Sequence, residues 1–205
     1  MLVTISRQYG AGGSEVAGRV AEALDWRVVD NELVERVAGR AGLSAEEVAE
    51  LEERAPSFIE RLARVLASAT PELFPPPTGT VPEQSENDLV RITEAVVEEI
   101  AAEGRVVLVG RAAPAVLARE RDALHVKLVA SLAYRVRVTA QRLGVDLKEA
   151  ERIARETDAA RERYHREYYG RQWNDPLNYH MTLNTERLGI EGVVGVIVAA
   201  VGERR

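Results

Sequence analysis

The sequence predicts an α/β protein: a doubly wound, parallel five-stranded sheet flanked by helices. Three observations predict it. Five short apolar runs, residues 2–6, 26–30, 105–109, 124–129 and 180–184, alternate with stretches of helical spacing. Such alternation calls for parallel strands joined by right-handed crossovers, with helices on both faces. A glycine cluster, Gly10-Ala11-Gly12-Gly13, stands between the first strand and the first helix. That is where open α/β sheets bind ligands, beyond the carboxyl ends of their strands.

Leu2, Val3 and Ile5 make the first run a β-strand. Residues 14–24 place Val16, Ala17, Val20, Ala21 and Leu24 on one helical face. Residues 26–30 form a second strand that ends in Asp30, and residues 31–39 begin another helix. Ser44-Ala45-Glu46-Glu47 and Ser57-Phe58-Ile59-Glu60 have the capping-box pattern of helix starts, with Pro56 between them. Residues 70–87, which include Pro75-Pro76-Pro77, read as a loop. Leu89, Ile92, Val96, Val97 and Ile100 share one face of a helix over residues 88–103, and Gly104 suits its stop.

Residues 105–109 are almost continuously apolar, as in a parallel strand buried on both faces. Residues 124–129 form the fourth strand, and Ser131 is placed to cap the helix after it. Residues 146–168 read as a long charged helix, residues 180–184 as the fifth strand and residues 188–201 as a final apolar helix.

The 205 residues, 46% of them hydrophobic, suffice for one core, or one core with a small lid. A formal net charge of -6 argues against a long nucleic acid as partner. It leaves room for a small anionic ligand held by local arginines. The absence of cysteine excludes disulfides, thiolate metal sites and cysteine nucleophiles. No leader pattern follows Met1, and no apolar run approaches the roughly 20 residues that span a bilayer. The expectation is a soluble, cytoplasmic chain without membrane partners; nothing in the sequence sets its oligomeric state.

Glycines at the start of a helix let backbone N–H groups converge on an anion without interference from Cβ atoms. A bare strand-to-helix turn is the alternative, but three glycines in four residues exceed what a turn needs. The dinucleotide pattern G-x-G-x-x-G fails, because its third glycine would fall at Glu15. The Walker pattern G-x-x-x-x-G-K-[ST] fits in part: Gly12 and Ser14 match, Gly13 stands at the lysine and Arg7 at the first glycine. The third strand ends in Val109, where many P-loop proteins carry a metal-binding acid.

Three segments carry a family likeness: Ile5-Ser6-Arg7-Gln8-Tyr9-Gly10-Ala11-Gly12-Gly13, Val28-Val29-Asp30-Asn31-Glu32-Leu33 and Val107-Leu108-Val109-Gly110-Arg111-Ala112. It continues through residues 158–169 and Leu183-Asn184-Thr185-Glu186-Arg187-Leu188-Gly189-Ile190-Glu191. In these the chain resembles the cytidylate kinase-like family of P-loop nucleoside monophosphate kinase relatives. The resemblance implies one domain over residues 1–205, with a helical acceptor-side insertion at about 40–104 and a lid at about 146–176. It implies transfer of the ATP γ-phosphoryl, with Mg²⁺, to a nucleoside monophosphate, CMP or dCMP. Gly10, Ala11, Gly12, Gly13 and Ser14 would cradle the donor phosphates, and the Ser14 hydroxyl would also meet the metal. Asp30 and Arg111 would serve the acceptor. Arg111, Arg161 and Arg163 would act on the transferring group, with Arg7 offsetting the missing lysine.

Arginine geometry suits phosphate, and phosphoryl transfer asks chiefly for positioning and positive charge. A solvated, salt-bridged helix explains the arginines of residues 152–171 almost as well, since Glu151, Glu156, Glu162 and Glu167 interleave them. Tyr164, Tyr168, Tyr169 and Trp173 read as packing or as base-stacking groups, and Tyr9 as either. Asn184-Thr185 reads as a turn or as a neighbour of adenine. His125, His165 and His180 have no partner at metal-ligand spacing. Two other functions stay open: a nucleotide-binding protein without turnover, and a kinase of another small acceptor.

Overall fold

A computed structural model describes residues 1–29, 83–110 and 112–204, with side chains from residue 90 onward in the second of these stretches. The helix expected from residue 31, both capping boxes and Pro75–Pro77 lie outside the described residues, as do Asp30 and Arg111. The chain divides into two compact units, Met1–Asp30 with Ala101–Arg205, and Asn31–Ile100.

In the first unit, Leu2–Arg7 forms β1, Gly13–Leu24 forms α1 and Arg27–Val29 forms β2. Helix α2, Glu83–Glu103, runs from the second unit into the first. Then follow β3 (Val106–Val109), α3 (Ala113–Val116), β4 (Ala123–Val129), α4 (Leu132–Leu143) and α5 (Leu147–Tyr169). A 3-10 turn at Pro176–Asn178, β5 (Met181–Asn184) and α6 (Thr185–Glu203) complete the order. All five strands are parallel, in the order β2-β3-β1-β4-β5. This is the doubly wound sheet that the alternation of elements predicts.

Alternation along the strands divides the sheet faces. Val3, Ile5, Val107, Val109, Leu124, Val126 and Leu128 point to one side. There they pack on Val16, Ala17 and Val20 of α1 and on Val193, Ile197 and Val201 of α6. The intervening Thr4, Ser6, His125 and Lys127 are buried too, which gives the other side a polar lane.

Local signals set most boundaries. Ser131 caps α4 by accepting from the Tyr134 amide at 3.2 Å, and Asp146 caps α5 by accepting from Glu149 at 2.8 Å. Gly144 and Gly170 close the same helices in the left-handed region.

Two helix starts differ from the sequence reading by three residues or more. Residues 83–87, expected as loop, belong to α2. They contain no Gly or Pro, and Glu83, Glu86 and Asp88 suit the positive end of a helix. Helix α6 begins at Thr185 rather than at residue 188, because Asn184 accepts from the amides of Glu186 and Arg187. It kinks at Gly189 (φ 67°, ψ 167°). Among the described residues no helix is long and apolar enough to cross a membrane.

Candidate functional site

The glycine loop leaves the carboxyl end of β1 and enters α1. The Gln8 amide donates to Leu128 O at 3.1 Å, which ends the β1–β4 pairing, and the Ala11 amide turns back to Gln8 O at 3.1 Å. Gly10 (φ 79°) and Gly12 (φ 76°) take left-handed conformations that any other residue enters at a cost. Gly12 sits at the N-cap of α1 without a side-chain cap, and Val16 N donates to its carbonyl. Among the described residues, no hydrogen bond engages the amides of Gly10, Gly12 or Gly13. Donors at a helix N-terminus, beside loop glycines, form a concave seat for an anion.

Arg7 packs across Gly13, the position that the Walker pattern gives to lysine. A Cβ built on Gly13 would fall 2.5 Å from Arg7 Cγ and 3.1 Å from its Cβ and Cδ. The stem of Arg7 therefore runs through the space that a residue-13 side chain would leave by. The guanidinium continues to the end of β3, where a Cβ on Gly110 (φ 76°) would sit 2.0 Å from Nη1. Gly13 and Gly110 are bare because one arginine crosses both. Ser14, in the first turn of α1, is exposed.

The hairpin of α4 and α5 reaches the same loop. Asp158 Oδ1 accepts from the Tyr9 amide at 2.8 Å, and Oδ2 accepts from Arg135 Nη1 at 2.7 Å. Arg135 also donates to Tyr9 O at 3.0 Å and, through Nε, to Ala130 O at 3.1 Å. Arg161 Nη1 donates to Arg7 O at 2.7 Å and lies 3.8 Å from Asp158 Oδ1. Arg142 donates to the Tyr9 hydroxyl at 2.7 Å, and the Arg142 and Arg161 guanidinium carbons lie 5.1 and 5.9 Å from the Tyr9 ring centroid.

The two readings of the α5 arginines thus divide by residue. Arg152 pairs with Glu149 and Glu156, and Arg155 with Glu151, all on the exposed face. Arg161 turns to the loop, whereas Arg163, two residues on, is exposed. Glu15, a negative charge beside the loop in the sequence, is exposed and paired with Arg19 at 2.9 Å.

Behind the loop lies the polar lane. Lys127 donates to Trp173 O and, at 3.0 Å, to Asn174 Oδ1, with its ammonium 3.6 Å from the Trp173 ring centroid. Trp173 donates from Nε1 to Ser6 Oγ at 2.9 Å, and the Tyr179 hydroxyl donates to Trp173 O at 2.8 Å. Burial lowers the Lys127 pKa to about 7, with Asp158 and Glu162 pulling it back up and Arg161 lowering it. Trp173, 2% exposed, belongs to packing rather than base stacking. Burial also lowers His125 and His165 to about 4, so both are neutral near pH 7. His125 accepts from Thr4 at Nδ1 (2.8 Å) and donates from Nε2 to Leu117 O (3.1 Å). No group of three or more His, Asp or Glu suited to a metal occurs among the described residues.

Residues 2–187 match the cytidylate kinase-like family. The chain belongs to that family. A cytidylate kinase of Methanopyrus kandleri is 34% identical over 113 residues, half of this chain and 58% of the relative. The chain thus spans under two thirds of the length of that relative.

Solved structures share the fold at low identity. An uncharacterized protein from Eubacterium ventriosum aligns with a TM-score of 0.71 at 18% identity, covering 98% of both chains. Shikimate kinase from Bacteroides thetaiotaomicron aligns at 0.55 and 14% identity, again over 98% of both. TT1252 from Thermus thermophilus aligns at 0.55 and 19%, over 100% of this chain and 97% of that one. The fold is that of P-loop kinases.

Sequence reasoning singled out Arg7, Gly10, Ala11, Gly12, Gly13, Ser14 and Arg161, which the structure gathers in and around the loop. It missed Asp158, Arg135 and Lys127. A lysine inside a mostly apolar strand was the available signal for the last.

Proposed function

We propose that the chain is a nucleotide kinase that moves the ATP γ-phosphoryl to a nucleoside monophosphate, with CMP or dCMP as first choice. The observation that carries this reading is the path of Arg7 across Gly13. It brings a permanent positive charge to the rim of a loop whose glycine amides face no partner among the described residues. Donor phosphates need both, fixed N–H donors and a cation close by. Arg161, 2.7 Å from the loop carbonyl of Arg7, supplies a second cation on the transfer side. Family membership and the cytidylate kinase relative support the cytidine acceptor. Arg111, Asp30 and Arg163 remain part of the proposal as acceptor and transfer residues.

Mg²⁺ would supply positive charge against that of the phosphates, and Ser14 is the hydroxyl that would hold it on the protein side.

Incubation with ATP, Mg²⁺ and each nucleoside monophosphate tests the reading. The expected result is a diphosphate product and ADP with CMP or dCMP. Product with none of the monophosphates refutes nucleotide transfer. A second reading, nucleotide binding without turnover, draws on Gly13 at the lysine position and Val109 at the usual metal acid. It requires calorimetric ATP binding with no movement of labelled γ-phosphate. A third, another small acceptor, requires ATP turnover that no nucleotide acceptor stimulates.

A further inference from the structure

We propose that Asp158 and Arg135, on the α4–α5 hairpin, are positioning residues that hold the glycine loop ready for donor phosphate. The proposal rests on the reading of that loop as the ATP phosphate site.

The loop has no reason of its own to stay in one shape. Glycine has the widest backbone freedom of any residue, and Gly10, Gly12 and Gly13 fall within four positions. Ordering a residue costs roughly 1–2 kcal/mol of conformational entropy. A ligand that must order the loop on binding loses that much affinity, whereas a loop fixed in advance does not.

The hairpin fixes it at one residue, through the two peptide groups that flank it. Tyr9 is held from both ends: its N–H by Asp158 Oδ1 and its carbonyl by Arg135 Nη1. The two side chains are bonded to each other at 2.7 Å, and Arg135 is anchored to Ala130 O beside its own helix. Both are largely out of water, with side-chain exposures of 8% for Arg135 and 18% for Asp158. Low exposure strengthens charge-assisted bonds and makes their loss costly.

Helix α4 also abuts the loop directly. A Cβ on Gly10 would meet Arg135 O at 2.7 Å and Thr139 Oγ1 at 2.8 Å. Arg161 adds a bond to Arg7 O on the other side of Tyr9. The contacts run to backbone groups on the near side of the loop. They leave the amides of Gly10, Gly12 and Gly13 for a ligand. Neither Asp158 nor Arg135 needs to touch the nucleotide to govern its affinity.

The full chain carrying Asp158→Asn, and separately Arg135→Lys, tests this by calorimetry with ATP and with inorganic tripolyphosphate. Asparagine can still accept from Tyr9 but loses the charge opposite Arg135. Lysine keeps the charge but cannot reach Ala130 O, Tyr9 O and Asp158 together. The expected result is binding weakened roughly tenfold or more, by the same factor for both ligands, because the damage is to the phosphate seat. Thermal melting of each ligand-free variant runs alongside. Glu149→Gln, which loses an exposed pair on the same helix, should bind both ligands as the wild type does.

A lower melting midpoint with affinities within twofold of wild type would make the pair merely structural and overturn the proposal. If Asp158→Asn does not fold, Arg135→Lys decides alone by the same criterion. Wild-type protein that binds neither ATP nor tripolyphosphate sinks the kinase reading and this proposal together. Wild-type binding matched by the variants sinks the positioning role only.

Discussion

The substitution of Arg7 for a loop lysine makes a reciprocal prediction. Arg7→Ala alone removes one cation beside the loop, the one that crosses Gly13. Two unit charges 4 Å apart interact by about 4 kcal/mol at an effective dielectric of 20. Arg7 is half-buried, so solvent screens part of this, and an ATP affinity loss of roughly tenfold to a hundredfold is expected. Gly13→Lys alone restores the Walker residue but drives its Cβ to 2.5 Å from Arg7 Cγ. Overpacking of that kind costs about 1–3 kcal/mol. In the double variant Cγ and Cδ are gone, and the nearest remaining atom is Cβ at 3.1 Å, which a shift of a few tenths of an ångström relieves. Lysine is also the better helix former at the start of α1. The double variant should therefore bind ATP better than Arg7→Ala and melt higher than Gly13→Lys. Calorimetry and thermal melting of the four proteins form a double-mutant cycle, with coupling of about 1–3 kcal/mol expected. Two effects that simply add would refute the exchange of one side chain for the other.

Three further outcomes follow from the same geometry. Gly110→Ala places a Cβ 2.0 Å from Arg7 Nη1 at φ 76°, so ATP affinity and melting midpoint should both fall; in an Arg7→Ala background the loss should shrink to the backbone strain of roughly 1–2 kcal/mol. Thr139→Val replaces a fully buried hydroxyl that lacks a hydrogen-bond partner among the described residues, so denaturant unfolding should show a gain of about 1 kcal/mol; a loss would mean that the hydroxyl has a role at Gly10. For pH, His125 and His165 titrate at about 4 when folded and at 6.5 when unfolded, so both are neutral in both states above 6.5. Between 6.5 and 4 the unfolded chain takes up protons first, and stability should fall by about 3 kcal/mol per histidine. Lys127 adds a rise in stability between about 7 and 10.5, where only the unfolded chain still holds its proton. Unfolding free energies that are flat from pH 4 to 6.5 would contradict the burial of these imidazoles.

The fold was legible because its determinants are local. Val16, Ala17, Val20 and Ala21 repeat at helical spacing, and Ser131 and Gly104 mark ends that need no partner elsewhere in the chain. The polar lane was half legible: Thr4, Ser6, His125 and Lys127 fall at every second position, but two strands whose partners lie 121 residues apart had to be laid side by side to join them. The pairing of Ile5 with Val109 brings Gly110 to Arg7, and nothing in the spacing of either segment announces it.

Asp158 was hidden by its surroundings. The charges around it pair within one turn of α5, as Arg152 does with Glu149 and Glu156, and make every acid there look like half of such a pair. Its own partner, Arg135, lies 23 positions away on another helix.

Under the proposed function, these long-range contacts divide what a single loop lysine would have to combine. Arg7 brings the charge from the preceding strand, and its path explains why residue 13 has no side chain. Asp158 and Arg135 bring order from the hairpin, and they do so through the backbone of Tyr9 rather than through the ligand. Charge and order should then fail separately. Loss of Arg7 should weaken ATP more as salt is lowered, because a direct charge contact is screened. Loss of Asp158 should weaken it by nearly the same factor at every ionic strength.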